Sequence, residues 1–179
     1  MVHPGSDYPC LRGEHGGRRI QLQPLLDHVG YRKVPSLWLV ITIDQVLPVD
    51  GSVDILFRPA NIEFYSAIET LPERIHLPAE WPEHHMARVG PPGWAPPLAL
   101  MRDAIGEAGE SLDLKELALS PRGVRMVVRI CDVDRSQYMV LRAMLPQVER
   151  IPANWLEYWV GVADRLADAV SSRAMLQGA

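Results

Sequence analysis

Cysteine is scarce in this chain: Cys10 and Cys131 are its only two. They lie far apart and belong to no C-x-x-C or zinc-ligand pattern, so two free thiols in a reducing compartment are expected. Lysine is equally scarce, with only Lys33 and Lys115 among 18 basic residues. Alongside abundant Ala, Pro and Gly, this looks like the bias of a GC-rich bacterial genome. It does not read as a nucleic-acid surface, and the formal net charge of −4 argues against a protein dominated by phosphate contacts. No apolar run approaches the length of a transmembrane helix. The first 19 residues lack the apolar stretch of a secretory signal, so a cytoplasmic protein with no membrane partner is expected. Also missing are a Walker loop, a G-x-G-x-x-G turn and a G-x-S-x-G elbow. Neither cysteine belongs to a local Cys/His catalytic motif. The expectation is therefore no cofactor and no nucleophilic catalytic motif.

What is present is a chain of 179 residues, 47% of them apolar, which suits one domain with a real core. Its most informative stretch is 71–98. Here stand Pro72, Pro78, Pro82, Pro91, Pro92, Pro96 and Pro97, with Trp81, Trp94, His76, His84 and His85. Prolines this dense forbid a continuous helix or a central strand. Two tryptophans are too apolar for an ordinary solvated linker. A long irregular segment of this kind is usually a functional loop or an interface.

Residues 1–19 are rich in Gly, Pro, His and Arg and lack periodicity, which predicts a disordered or partner-ordered arm before a single domain over 20–179. Leu22, Leu25, Leu26 and Val29 recur at helical spacing, with Gly30 as a stop. The run 37–43 is apolar on both faces and rich in β-branched residues, as in a central strand. Asp50-Gly51 signals a turn. After it Val53, Ile55 and Phe57 alternate with Asp54, Leu56 and Arg58, predicting a strand paired to the first as a hairpin. Ile62, Tyr65, Ile68 and Leu71 favour a helix. Leu98, Met101, Ile105 and Ala108 stripe another, closed by Gly109. Ser120-Pro121-Arg122-Gly123 suits a type I turn into a strand where Val124, Met126, Val128 and Ile130 share one face. Asp134 with Gln137 resembles a capping box, opening a helix through Tyr138, Leu141 and Leu145 that ends near Pro146. Asn154 with Glu157 caps a long amphipathic C-terminal helix striped by Leu156, Trp159, Val160, Ala163, Leu166, Ala167 and Val170. Without regular β-α-β alternation the class is α+β: a small antiparallel or mixed sheet, several helices and a Pro/Trp/His-rich irregular loop.

Four groups of residues bear on chemistry. His76, Glu80, Glu83, His84 and His85 are metal-ligand types. Pro78 and Pro82 separate them, however, and neighbouring histidines in extended chain point apart, so a polar surface loop is the plainer reading. Asp113-Leu114-Lys115 has the D-x-K form of some metal-dependent nucleases, with Asp50 or Asp54 upstream, though so short a match arises often by chance. Arg58, Arg125 and Arg129 could share an outer sheet face and bind a small anionic ligand. Trp155 and Trp159 lie on one side of the last helix, as core or as an interface anchor. With no strong catalytic constellation, the leading expectation is a protein-binding accessory or regulatory subunit of a bacterial complex. Its contacts would run through the 71–98 loop, with Trp81, His84, His85 and Trp94, and through the N-terminal arm, to another protein or to a second copy of itself. The alternatives are a metal-dependent hydrolase using the His/Glu-rich loop and a binder of small anions.

Overall fold

The run at 37–43 forms an inner strand of a sheet. In the computed structural model, which describes residues 8–26, 36–58, 66, 68–82, 84–132 and 150–177, it belongs to β3 (Ser36–Asp44). The other strands are β1 (Leu11–His15), β2 (Arg18–Leu26), β4 (Ser52–Leu56), β5 (Glu73–Ile75), β6 (Met86–Gly90), β7 (Leu114–Ser120) and β8 (Gly123–Asp132). They make one eight-stranded sheet in the order β1-β2-β3-β8-β7-β4-β6-β5. Every ladder in it is antiparallel. The α+β class therefore holds, but the molecule is mostly sheet. Two α-helices occur among the described residues, α1 (Leu98–Ile105) and α2 (Ala153–Gln177), where several helices were expected.

Both helices pack on one face of the sheet. Met101 and Ile105 of α1, and Trp159, Val162, Ala163, Leu166 and Ala167 of α2, join the same buried cluster as Leu39, Ile41, Ile43, Leu117 and Met126. The ladder registers explain why that face is apolar. One row of directly paired residues crosses all eight strands as Leu11, Leu22, Ile41, Met126, Leu117, Ile55, Ala87 and Ile75. The neighbouring row, one residue along each strand, points to the opposite face. It reads Arg12, Gln21, Thr42, Arg125, Ala118, Asp54, Arg88 and Arg74.

Several expectations need correction. Residues 18–26 are a strand, β2, not a helix. Leu22 joins the helix-covered core while Leu25 packs with Trp38 and Val127 on the other face, so burial on both faces imitates helical spacing. Pro24 is tolerated because β1 stops at the Leu11–Leu22 pair, leaving that part of β2 an edge. Residues 11–19 are not a free arm. They form a hairpin whose two-residue turn, Gly16-Gly17, has φ of 56° and 78°, the conformation of a type I′ turn that glycine adopts without strain. Arg18 ties its tip to Asp164, at 3.1 Å, and to Asp168 on α2. β3 and β4 are not a hairpin either, because the β7–β8 hairpin lies between them. α1 ends at Gly106, φ 50°, before Gly109, and a 3-10 turn, Gly106–Glu110, follows. Asn154 lies inside the first turn of α2, which begins at Ala153. In the 61–71 segment, Ile68–Thr70 is a single 3-10 turn, and Ile62 and Tyr65 lie outside the described residues. So does the expected helix through Tyr138, Leu141 and Leu145.

Candidate functional site

A cavity of about 460 Å³ opens where the proline-bounded loop meets the end of α1. Local geometry builds its apolar wall. The amide of Trp81 donates to Pro78 O at 2.9 Å and that of His85 to Pro82 O at 3.0 Å, so each proline opens a short turn and presents the ring that follows. Phe57 arrives from the end of β4, where its amide donates to Lys115 O at 2.8 Å. The three rings form one cluster, with centroids 5.9 Å apart for Phe57 and Trp81, 4.7 Å for Phe57 and His85, and 6.1 Å for Trp81 and His85. These are normal separations for tilted aromatic pairs. Glu80, Asp103, Glu107, Glu110 and Arg102 complete the lining, and all five are exposed.

The rings carry no charge at neutral pH. Burial pushes the His85 imidazole down to about 4, with the adjacent His84 adding to the effect, because desolvation disfavours the cation. His85 Nδ1 is buried and has no hydrogen-bond partner. Trp81 is a core residue, 6% exposed. His84 lies outside the wall, exposed, its ring 4.6 Å from that of His85. Trp94 belongs elsewhere. It packs flat on Gly51, where a Cβ would stand 2.4 Å from the indole, and it lines a separate cavity of about 150 Å³ with Val49, Leu100 and Val170. The four loop residues expected to act together are thus split between two places. His76 and Glu80 are exposed and Glu83 lies outside the described residues. Among the described residues, no three His, Cys, Asp or Glu gather to hold a metal.

Of the expected arginine trio, Arg125 and Arg129 share one sheet face by register, opposite Thr42 and Trp38. Arg58 donates to Leu112 O, Arg129 to Asp113 at 2.8 Å and Asp132 at 3.1 Å, and Arg125 lies 3.3 Å from Glu116. The D-x-K residues separate. Asp113 is held by Arg129, and Lys115, in a β-bulge of β7, lies 5.1 Å above the Trp38 ring. Bulges re-aim side chains. Here Lys115 leans over Trp38 while the next residue, Glu116, faces the Asp54 side of the same sheet face. Asp54 and Glu116 are both buried. Asp54 Oδ1 and both carboxylate oxygens of Glu116 are buried without a well-aligned donor among the described residues. Burial, reinforced by the Glu116 charge and opposed by Arg125, raises the Asp54 carboxyl to about 8. Asp54 therefore keeps its proton at neutral pH beside Glu116.

Sequence reading picked out Trp81 and His85 but missed Phe57, Asp103, Glu107, Glu110 and Glu116. A signal existed for two of them: Glu107 and Glu110 are three apart, beside Gly106 and Gly109, directly after an apolar stripe. Compared with protein-family models, curated proteins and solved structures, the chain matches none.

Proposed function

We propose that this protein works by binding another protein, as an accessory or regulatory subunit, and that the contact surface centres on the cavity beside His84 and His85. One observation carries the reading. The proline-rich loop is folded into the wall of an open, aromatic-lined cavity of about 460 Å³, and concave sites with an apolar wall and a few polar groups are where recognition concentrates. Trp81 supports this surface from within. His84, the exposed face of His85 and the acidic rim meet the partner. A cytoplasmic setting fits the two free thiols, Cys10 and Cys131. No described helix is long and apolar enough to cross a membrane.

The test is site-specific photocrosslinking in the native host, with a benzophenone side chain at His84 or Glu107 and a control at Arg12 on the far sheet edge. The reading expects one identified protein crosslinked from both cavity positions and not from the control. Crosslinks only from Arg12, or none, defeat it.

A second reading, binding of a small anion, is favoured by one feature of the sheet face opposite α1 and α2. A cavity of about 470 Å³ there is lined by Arg122 and Arg125 with Gln21, Gln23, Thr42 and Ser120, against one carboxylate, Asp44. Guanidinium groups beside neutral donors suit carboxylates and phosphates. A thermal shift with anionic metabolites that disappears in Arg122→Gln would move the function to this face.

A further inference from the structure

The cavity by the proline-rich loop has a chemical preference built into it, and it can be stated without knowing the partner. Its wall is aromatic, its lining charges among the described residues are four carboxylates against one guanidinium, and its histidine is uncharged at neutral pH. Aromatic faces attract cations through their quadrupole, most strongly for tryptophan. An acidic rim raises the local concentration of a cation before contact. All four carboxylates are exposed, so the mouth is open rather than enclosed. An open mouth admits a side chain that must stay attached to its own backbone.

Resting on the protein-binding reading above, we infer that the cavity receives an arginine or lysine side chain from a basic segment of the partner, its charged head against the exposed face of His85 with Phe57 and Trp81 behind it, and its charge met by Glu107 and Glu110. His85 Nδ1 in that wall is buried and has no hydrogen-bond partner among the described residues. The occupant complements the walls in both respects, apolar stem against rings and cation against carboxylates.

The experiment is a titration of the whole chain, followed by amide and indole NMR shifts. The probes are capped pentapeptides with a central arginine, lysine, citrulline or glutamate, and spermidine. Citrulline keeps the shape of arginine and removes its charge. The arginine peptide is expected to bind and to shift the Trp81 and Gly109 signals. The citrulline peptide should bind about tenfold more weakly, the factor expected of one lost cation–π and charge contact. Glu107→Gln with Glu110→Gln should weaken the arginine peptide by a similar factor. The control, Glu14→Gln with Glu157→Gln, removes two exposed acids away from the cavity and should change binding by less than about twofold, because screening limits the reach of remote charges. Equal binding of arginine and citrulline, shifts confined to other regions, equal losses in both double variants, or no binding at all would overturn the inference. Spermidine binding as tightly as the peptide would replace a protein segment with a free polyamine. The two readings fail separately. Crosslinking from His84 to an identified protein with no cationic preference removes the ligand class alone. Cation binding without any crosslinked partner removes the protein-binding role alone.

Discussion

The two faces of the sheet differ by one residue along every strand, yet they solve burial in opposite ways. Under α1 and α2 the row through Ile41, Met126, Leu117, Ile55 and Ala87 is wholly apolar and almost wholly inaccessible. On the other face, Trp38 and Val127 are just as inaccessible, but Lys115, Asp54 and Glu116 are buried beside them. The first face gains stability by removing apolar surface from water. The second must neutralise what it buries. It does so with Lys115 over Trp38, Arg125 against Glu116, and a proton held by Asp54. Apolar burial without penalty and polar burial with compensation thus coexist in one set of strands, and register alone decides which residue meets which problem.

The sharpest break of this comparison is a cavity in the apolar row. Leu117→Ala, at a fully buried position, should cost about 2–5 kcal/mol, read as a fall in the urea midpoint with little change in slope. On the polar face the damage should come from uncompensated charge. Arg125→Leu removes the cation beside Glu116. Breaking a fully buried pair costs about 3–5 kcal/mol, but the Arg125 side chain is 28% exposed, so about 1–2 kcal/mol is expected after discounting for solvent. Chemical denaturation at pH 7 measures both, and an equal loss at the two positions would erase the distinction between the faces.

Near pH 4 the smallest effect belongs to Asp54→Asn, and its pH profile makes it informative. The folded carboxyl titrates near 8, against an ordinary value of 3.8. The folded state therefore binds the extra proton between those values. Stability from this group is complete below about pH 4 and is lost as pH rises towards 8. The substituted amide cannot ionise beside Glu116. The variant should show a flatter stability profile from pH 4 to 8 than the parent. Profiles that fall in parallel would mean that the proton does not reside on this pair.

Much of the helix-covered face was legible because its pattern obeys one rule at a time. The stripe through Trp159, Ala163 and Leu166 buries a single face, and the alternation from Val124 to Ile130 departs from that at Val127. β2 was illegible for the opposite reason. Its leucines serve both faces, and a chain buried on two sides loses its period of two. Strand partnership was hidden too, since alternation in β3 and β4 says which face is buried but not which strand lies alongside. At the candidate site, the aromatic residues stood out against their prolines. The carboxylates did not, because Asp103, Glu107 and Glu110 look like any solvated end of a helix until the fold brings Phe57 and Trp81 beneath them.

The strand order carries a consequence for how the chain matures during synthesis. β1 to β3 form one meander, β4 to β6 form a second group, and β7–β8 is the hairpin that joins them. Until residues 114–132 emerge from the ribosome, β3 and β4 each present an unpaired edge flanked by apolar side chains, the kind of surface that invites pairing with other chains. Closing the sheet then depends on contacts distant in sequence, which slows folding. The late-made hairpin therefore ends the period in which the nascent protein is most exposed to aggregation.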